Sequence, residues 1–307
     1  MTIEALPAMA VRCRPIARLM AGQTGPVLVV VAALIVLWYG GAVWLNTPWQ
    51  IDLFERGGVT WTNADLVRET MAQDRPILPA PHQIVAEMQK TILETSITSK
   101  RSLVYHSWVT LSSSLLGFAI GTALGILLAV GIVHVRSLDK SLMPWVISSQ
   151  TIPILAIAPM IIVVLAAIGL RGLVPKAIIS TYLCFFPVTI GMVKGLRSPD
   201  PLQMDLMRTY NASRWQTFWK LRWPSSMPFL FTSLKVAVAI SLVGAIVGEL
   251  PTGAAAGLGA RLLAGSYYGQ TIQIWSALIT AAILAGLLVA LIAALERLTL
   301  RRMGMGI

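Results

Sequence analysis

The chain has 307 residues, of which 56% are hydrophobic and only 12% are charged. This composition is too apolar for a soluble domain and predicts an all-α, polytopic membrane protein. The net charge of +11 would suggest nucleic-acid binding in a soluble chain. In a membrane protein it indicates an excess of Lys and Arg on the inner loops, so no nucleic-acid partner is expected. Cys13 and Cys184 are too few for a disulfide or metal framework, and the three histidines are scattered singly and assigned to no site.

The N-terminal third divides into a basic tail, an apolar run and a mixed segment. The tail is 1–25, and the run 26–45 is long enough to cross a membrane and too long for a signal peptide, so it predicts an uncleaved first transmembrane helix. The segment 46–108 holds more than half of the acidic residues and is predicted to be periplasmic. Short helices are expected over 63–73 and 82–95, in either a functional module or a plain solvated connector.

Five further apolar runs follow, and each is long enough to cross a membrane. They are Val109–Val133, Leu142–Ile168, Val174–Val193, Phe229–Gly248 and Ile274–Leu295. With the first run they predict about six transmembrane helices, with residues 109–295 as a five-helix core and 296–307 as a C-terminal tail. An orientation with both termini in the cytoplasm places most Lys and Arg of the short loops inside, as the positive-inside rule requires.

Small and polar residues mark two of these runs. Gly117, Gly121 and Gly125 are four residues apart, so they lie on one helix face and should let another helix approach closely. The next run is interrupted by three prolines, with polar residues between the first two. These polar residues, which are predicted either to line a transport pathway or to hydrogen-bond between helices, are Ser149, Gln150 and Thr151.

Two ionisable residues belong to the run Phe229–Gly248 and its outer end. Lys235 lies about two turns from the inner start, where its long side chain could reach the headgroups. Glu249 lies at the outer end, where an acid near membrane depth is either a pathway residue or an ordinary interfacial carboxylate. The turn-rich stretch 251–269 could re-enter the membrane or form a periplasmic lip.

The segment Lys194–Pro228, called the charged segment below, carries six Lys or Arg residues against two Asp residues. Its prolines predict a helix from about Pro201 to Tyr210. Asn211 tolerates the left-handed conformation that ends a helix, and Ser213 can cap a second helix over 214–222, which Pro224 should stop. One face of this second helix is aromatic, with Trp215, Phe218 and Trp219 at i, i+3 and i+4. Such a helix either lies on anionic headgroups or docks a cytoplasmic partner.

The stretch from Asp205 to Pro224 resembles the EAA loop of ABC-importer permeases, whose pattern is Glu-Ala-Ala, three residues, Gly, nine residues, Ile, one residue, Leu-Pro. Asp205, Asn211, Leu221 and Pro224 stand at the Glu, Gly, Ile and Pro positions. Asp keeps the charge of Glu, and Asn keeps access to the left-handed turn of Gly. The pattern's other letters are replaced by Leu206, Met207 and Trp223.

Three further stretches are similar to this family. Leu78-Pro79-Ala80-Pro81 resembles the Leu-Pro-Ser-Pro of its nitrate, sulfonate and taurine branch, and Asp139 resembles an acidic residue that precedes a proline. Glu249 with Gly257-Leu258-Gly259 resembles the family's Glu and downstream Gly-Leu-Gly. The resemblance implies a binding-protein-dependent permease of type I, MetI-like architecture in the bacterial inner membrane.

The resemblance also implies partners and site residues. An ATP-binding subunit dimer would dock on the charged segment and bind the ATP, so this chain would need no cofactor of its own. A periplasmic or lipid-anchored solute-binding protein and a second permease copy would complete the importer. The residues assigned to ATPase coupling are Asp205, Arg208, Asn211, Ala212, Ser213, Arg214, Trp215, Leu221 and Pro224.

Two other classes of protein fit the sequence less well. No Gly-x-x-x-x-Gly-Lys-Ser/Thr loop and no recognisable catalytic grouping occur in the sequence, so an enzyme is not expected. A secondary transporter is the alternative, but no mid-span carboxylate is available for a proton or sodium cycle. The resemblance leaves the substrate open between sulfonate-like or nitrate-like anions and pyrimidine-type compounds.

Overall fold

The computed structural model describes residues 24–251 and 256–305, and every regular element in these ranges is helical, as predicted. The chain forms two compact units, one up to Val85 and one from Ala86, and each is described by itself. The predicted N-terminal tail, 1–25, lies almost entirely outside the described residues.

The first unit contains α1 (Thr24–Gly57), α2 (Asn63–Ala72) and the start of α3 (Pro81–Gln89). The apolar run 26–45 is only the first part of α1, which is about 51 Å long at 1.5 Å per residue and exceeds the roughly 30 Å hydrocarbon core. Pro48 lies inside α1 without ending it. The predicted boundary at residue 45 is therefore wrong for the helix, because a proline removes only one hydrogen bond and the flanking turns continue.

Polar side chains near the middle of α1 fix the chain that follows α2. Asn46 is fully buried, and its Oδ1 accepts a hydrogen bond from the Ile77 amide at 2.7 Å, while its Nδ2 donates to the Leu78 carbonyl at 2.9 Å. Thr62 caps α2 in a capping box with Asp65, and these hydrogen bonds hold the pKa of Asp65 below its usual value. The predicted short helices on either side of residues 77–81 are confirmed.

The second unit continues α3 through a π turn (Lys90–Glu94) into the helical core. Its helices are α4 (Leu103–His134), α5 (Arg136–Ser148), α6 (Ile154–Ala167), α7 (Leu173–Leu196), α8 (Pro201–Thr209), α9 (Arg214–Thr217), α10 (Trp223–Glu249), α11 (Leu258–Tyr267) and α12 (Thr271–Arg302). Within the described residues, five helices including α1 are long and apolar enough to cross a membrane, and the bent pair α5–α6 makes up to six. The predicted number of spans is confirmed.

The third predicted span, Leu142–Ile168, is not one straight helix. α5 and α6 meet at an angle of 100°, across a 3₁₀ turn (Ser149–Thr151) and Pro153. A proline disfavours helical geometry in the residue before it and lacks the amide that would continue the ladder, which accounts for the break at this point.

Helix α7 packs between α4 and α10 at very short range. A Cβ atom placed on Gly117 would lie 2.4 Å from the Cβ of Ser180, and one on Gly121 would lie 2.2 Å from the Sγ of Cys184. On the other side of α7, a Cβ on Gly244 would lie 2.8 Å from the Cα of Ser180. The predicted close approach on the glycine face of α4 is confirmed, and α10 repeats it.

Buried serines join the same three helices. The hydroxyl groups of Ser114 and Ser241 are 2.9 Å apart, and Ser180 Oγ donates to the Ser241 carbonyl at 2.9 Å. All three residues are fully buried. Because lipid provides little hydrophobic drive for helix association, close packing at glycines and hydrogen bonds of this kind are what hold such a bundle together.

The C-terminal residues differ from their predicted form as a tail. α12 runs to Arg302. Leu300, near its C-terminal end, is only 2% exposed and belongs to a core cluster of the bundle. Lys235 Nζ lies 2.9 Å from the Glu296 carboxylate, so the structure gives this lysine an ion-pair partner in place of the predicted reach to the headgroups. The ion pair and the burial of Leu300 extend the last helix beyond its apolar run.

Candidate functional site

The charged segment begins where α7 ends and builds α8 with a capped start. Asp200 Oδ1 accepts a hydrogen bond from the Leu202 amide at 2.8 Å, and the Gln203 side chain accepts one from the Asp200 amide at 3.2 Å. Pro201 is the first residue of the helix, where its missing amide costs nothing. The predicted start near Pro201 is confirmed.

A tight turn at Asn211 separates α8 from α9. Asn211 has a φ of 51°, the one positive φ of a non-glycine residue among those that the structure describes. The Ala212 amide donates to the Met207 carbonyl at 2.9 Å, which closes the end of α8. Ser213 and Gln216 then form a reciprocal capping box at the start of α9. The left-handed turn and the cap that the sequence predicts are both present.

The second helix of the charged segment does not stop at Pro224. α9 continues without a break through a π turn (Phe218–Arg222) into α10. The Trp223 amide reaches back five residues to the Phe218 carbonyl, so one residue is inserted into the helical register just before the proline. The predicted stop is wrong because this wider turn gives the ring of Pro224 room inside a continuing helix.

The charged segment is open to solvent along α8 and anchored at Phe218. No residue of α8 is buried, and Leu202 and Tyr210 are 78% and 77% exposed. Trp215 is 69% exposed, whereas Phe218 is only 7% exposed and belongs to the core cluster at this end of the bundle. The aromatic face predicted for the second helix is therefore split between an exposed ring and a buried one.

The charges of this segment are partly paired. Arg208 lies 2.9 Å from Asp205 within α8, and Arg197 lies 2.9 Å from Asp139, which precedes Pro144 on α5. Arg214 and Lys220 are exposed and form no ion pair with the residues that the structure describes. The remaining residues assigned to coupling are half-buried, namely Ala212, Leu221 and Pro224. This side of the second unit is called the charged end below.

Glu249 occupies the opposite end of the bundle, called the Glu249 end below. Its side chain is fully buried, and one carboxylate oxygen lies 3.2 Å from the ammonium of Lys176 on α7. The Thr110 hydroxyl on α4 donates to the carboxylate at 3.0 Å. One carboxylate thus ties together the three central helices, and it is buried among them.

The same cluster holds the start of α11 through three successive backbone amides. The amide of Gly257 donates to Nδ1 of His106 at 3.0 Å, that of Leu258 to the Thr110 hydroxyl at 2.8 Å, and that of Gly259 to Glu249 at 2.8 Å. The first amides of a helix have no partner within it, so side chains from α4 and α10 supply the caps.

Glycine is required on both sides of Leu258. Gly257 has a φ of 130°, and a Cβ there would lie 2.1 Å from the Glu249 carboxyl carbon. A Cβ on Gly259 would lie 2.4 Å from the Ile246 carbonyl oxygen. The Gly-Leu-Gly that resembles the family motif is therefore explained by contact with Glu249.

Sequence reasoning missed the side chains around Glu249. Lys176 and Thr110 contact its carboxylate, and His106 accepts the neighbouring Gly257 amide. Lys176 stands alone near the start of the apolar run Val174–Val193, and a lone Thr or His on an apolar helix gives no pattern. Pro175 and Lys176 follow the turn at Gly172 directly, so a lysine just inside an apolar run was the available signal.

The polar triplet at the bend between α5 and α6 lies apart from Glu249. Ser149 Oγ donates to the Val146 carbonyl at 2.7 Å, and Thr151 Oγ1 to the Ser148 carbonyl at 2.8 Å, while Gln150 is exposed. The Tyr182 hydroxyl of α7 donates to the Ser149 carbonyl. Tyr182 is about 9 Å further along α7 than Lys176, so the structure does not bring the triplet and Glu249 together.

A match to a protein-family model identifies the class of protein to which these two ends belong. Residues 121–305, which are more than half of the chain and include the charged segment and Glu249, match the model described as "Binding-protein-dependent transport system inner membrane component". The chain belongs to this family. It is therefore a multi-pass inner-membrane permease of the ABC-importer class, as the EAA-like loop predicts.

Similar proteins include two transport permeases. The formylaminopyrimidine transport permease protein ThiX of Halalkalibacterium halodurans is 31% identical over 183 residues, which are 60% of this chain and 68% of that protein. The riboflavin transport system permease protein RibX of Chloroflexus aurantiacus is 31% identical over 225 residues, which are 73% of this permease and 80% of that one.

The fold of the permease is also that of a solved structure. The inward-facing methionine ABC transporter MetNI matches with a TM-score of 0.53 and 21% identity, over 64% of this chain and 94% of the matched chain. At this level of identity the match concerns the fold alone, and it confirms the predicted MetI-like architecture.

Proposed function

We propose that the charged segment of this permease docks a separate ATP-binding subunit and passes its movement to the transmembrane helices. ATP would be bound by that partner, and the permease itself would hold no cofactor and catalyse no reaction. The observation that carries the proposal is an exposed helix, α8, followed by a capped helix, α9, that continues directly into the spanning helix α10.

Exposure of α8 indicates a partner. A nine-residue helix is too short to be stable alone in water, and α8 buries none of its residues. Its apolar side chains Leu202 and Leu206 are more than half exposed, and so is Tyr210, the residue that follows the helix. Apolar patches rimmed by charges are typical of protein interaction sites.

Continuity from α9 to α10 indicates how movement would be transmitted. Phe218 is buried in the core, and the π turn leaves no flexible joint between Arg214 and Glu249. α7, which leads into the segment, packs against α10 so closely that a Cβ on Gly195 would lie 2.9 Å from the Cα of Ser226. A displacement of the charged segment would therefore move α7 and α10 together.

The remaining parts of the importer follow from the family and the charge distribution. We infer that the charged end and both termini face the cytoplasm, because the short loops at that end carry most of the Lys and Arg residues found in short loops. A solute-binding protein would then deliver the solute to the Glu249 end, and a second permease copy would complete the pathway. We propose a small solute of the anionic or pyrimidine type, and the names of the similar permeases favour a heteroaromatic ring.

A co-purification experiment tests the docking proposal. The tagged permease is isolated in mild detergent from its own host, as wild type and as the Arg214→Ala, Lys220→Ala double variant. An ATP-binding subunit should co-purify with the wild type, and the amount should fall at least about tenfold in the variant, which loses two unpaired cations from the surface. The matched control is Arg136→Ala with Lys140→Ala, which removes two exposed cations from α5 at the same end.

The control should retain the ATP-binding subunit. Equal loss in the control and the test variant would show that only the total charge matters and would contradict a specific docking surface. Absence of any ATP-binding subunit from the wild type, with transport intact in the same cells, would favour the secondary-transporter alternative.

A further inference from the structure

A large cavity opens at the Glu249 end of the bundle. Its volume is about 880 Å³, and it lies between the starts of α4 and α7, the end of α6 and the turn at Arg171. Small-molecule sites in proteins commonly measure about 300 to 1,000 Å³. The cavity is therefore large enough for a small organic solute.

The charged side chains that line the cavity are both cationic, Arg171 and Lys176. Lys176 is neutralised by Glu249, which is fully buried behind the wall. Arg171 is exposed and forms no ion pair with the residues that the structure describes. The net charge of the lining is therefore positive and is centred on a guanidinium, whose planar donors match a carboxylate, sulfonate or phosphate.

An aromatic wall faces the same space. Tyr105 and Trp108 are three residues apart on α4, so their rings lie on one helix face, and both line the cavity. Trp108 is 67% exposed, although it lies only a few residues inside a spanning helix. Ile162 and Ala166 of α6, which also line the cavity, are apolar. An aromatic side chain in such a lining favours stacking with a flat ring.

We propose that this cavity is a binding site for a small, planar organic anion, with Arg171 pairing with the anionic group and Trp108 stacking on the ring. The inference rests on the proposed transport function in one respect, namely that the bound molecule is taken to be the transported solute. Arg171 and Trp108 come from separate elements, the turn before α7 and helix α4, so the two contacts can be tested independently.

The test is direct binding to the full-length permease in lipid nanodiscs, without any other subunit. The probe is flavin mononucleotide, which is planar, anionic and fluorescent, so binding is followed by fluorescence anisotropy. Riboflavin serves as the planar neutral comparison and methanesulfonate as an anionic competitor without a ring. The variants are Arg171→Gln and Trp108→Leu, with Arg136→Gln and Trp145→Leu as exposed controls on α5.

We expect flavin mononucleotide to bind the wild type and both controls with equal affinity. Its affinity for each cavity variant should be lower by about tenfold or more. Riboflavin should bind the wild type more weakly than flavin mononucleotide does. To Arg171→Gln, the two flavins should bind with equal affinity. All variants should show the wild-type melting temperature. Unchanged binding in both cavity variants, or no binding to the wild type at millimolar probe, would overturn the site.

A loss of binding in only one of the two cavity variants would also test the proposal. If Arg171→Gln weakens binding and Trp108→Leu does not, or if methanesulfonate binds as tightly as flavin mononucleotide, the planar part of the proposal is wrong. No ATP-binding subunit is present in this assay, so its outcome is independent of the docking experiment. Failure of docking would leave the binding result standing, and the reverse also holds.

Discussion

The two ends of the helical core treat their charges in opposite ways. At the Glu249 end a fully buried carboxylate has a partner from each neighbouring element, which are the ammonium of Lys176, the hydroxyl of Thr110 and the amide of Gly259. At the charged end Arg214 and Lys220 are exposed, and α8 buries none of its residues. The buried polar groups of the Glu249 cluster are satisfied within the chain, whereas the charged end keeps two exposed cations without an ion pair among the described residues.

The difference indicates where each end finds its partners. A buried charge must be paired within the chain because an unpaired one is very costly in a medium of low polarity. Exposed charges cost little to leave open, so a surface can keep them available for another subunit. The Glu249 end is thus a structural junction beside a cavity, whereas the charged end is the surface for which we propose a partner subunit.

The largest effect is expected from breaking the buried ion pair. Glu249→Gln leaves the Lys176 ammonium buried without a counter-charge, and removing one partner of a buried pair typically costs about 3 to 5 kcal/mol. Unfolding of the purified permease by denaturant should show this loss. The double variant Glu249→Gln, Lys176→Met removes both charges and should recover much of the stability.

Removing one partner of an exposed ion pair at the charged end should cost little stability. Asp205 also forms an ion pair, with Arg208 at 2.9 Å, but both side chains are largely exposed. Asp205→Asn should therefore change the free energy of unfolding by no more than about 1 kcal/mol. An equal loss for Asp205→Asn and Glu249→Gln would break the distinction between the two ends.

The packing that joins the two ends should show an intermediate effect. Gly117→Ala places a Cβ 2.4 Å from that of Ser180 and 2.6 Å from the Ala177 carbonyl oxygen, so α4 and α7 must move apart. Overpacking of this kind costs about 1 to 3 kcal/mol.

Gly286→Ala on α12 is the matched control, because nothing lies within 4 Å of the added Cβ. It should be neutral or stabilise by up to about 1 kcal/mol, since alanine favours a helix over glycine. Thermal unfolding in one detergent compares the two variants. Equal melting temperatures would show that the approach of α4 to α7 is looser than the structure has it.

Much of the fold could be predicted because local rules fix it. Apolar length gave the spans, the four-residue spacing of Gly117, Gly121 and Gly125 gave the packing face, and Asn211 with Ser213 gave the turn and cap of the charged segment. Each of these features depends on residues that are close in sequence. Helix boundaries failed where a proline is accommodated, at Pro48 by a continuing helix and at Pro224 by a π turn.

The Glu249 cluster could not be predicted because its members are far apart in sequence. Glu249 and Thr110 are 139 positions apart, and Lys176 lies 73 positions from Glu249. No local spacing pairs such residues, and only the packing of α4, α7 and α10 brings them together. The cavity beside them depends on the same packing, so neither Arg171 nor Trp108 gave a signal in the sequence. Whether Ser149, Gln150, Thr151 or Glu249 line a pathway remains a prediction.

The largest effect on function, with only a local effect on the fold, is expected at Asn211. Asn211→Pro cannot keep the φ of 51°, because proline is held near −65°, so the turn between α8 and α9 must change. The turn is exposed, and insertion into the membrane should be unaffected. Docking of the ATP-binding subunit and transport should both be lost.

Two further variants separate shape from charge at the same surface. Asn211→Gly keeps the left-handed turn, since glycine adopts positive φ readily, and should retain docking. Asp205→Lys keeps the turn but reverses a charge beside Arg208, and it should abolish transport with normal insertion. Co-purification of the ATP-binding subunit and the amount of permease in the membrane fraction measure both properties. A variant that fails only in docking should still be present in the membrane fraction at the wild-type level, and normal transport by Asn211→Pro would contradict the docking role.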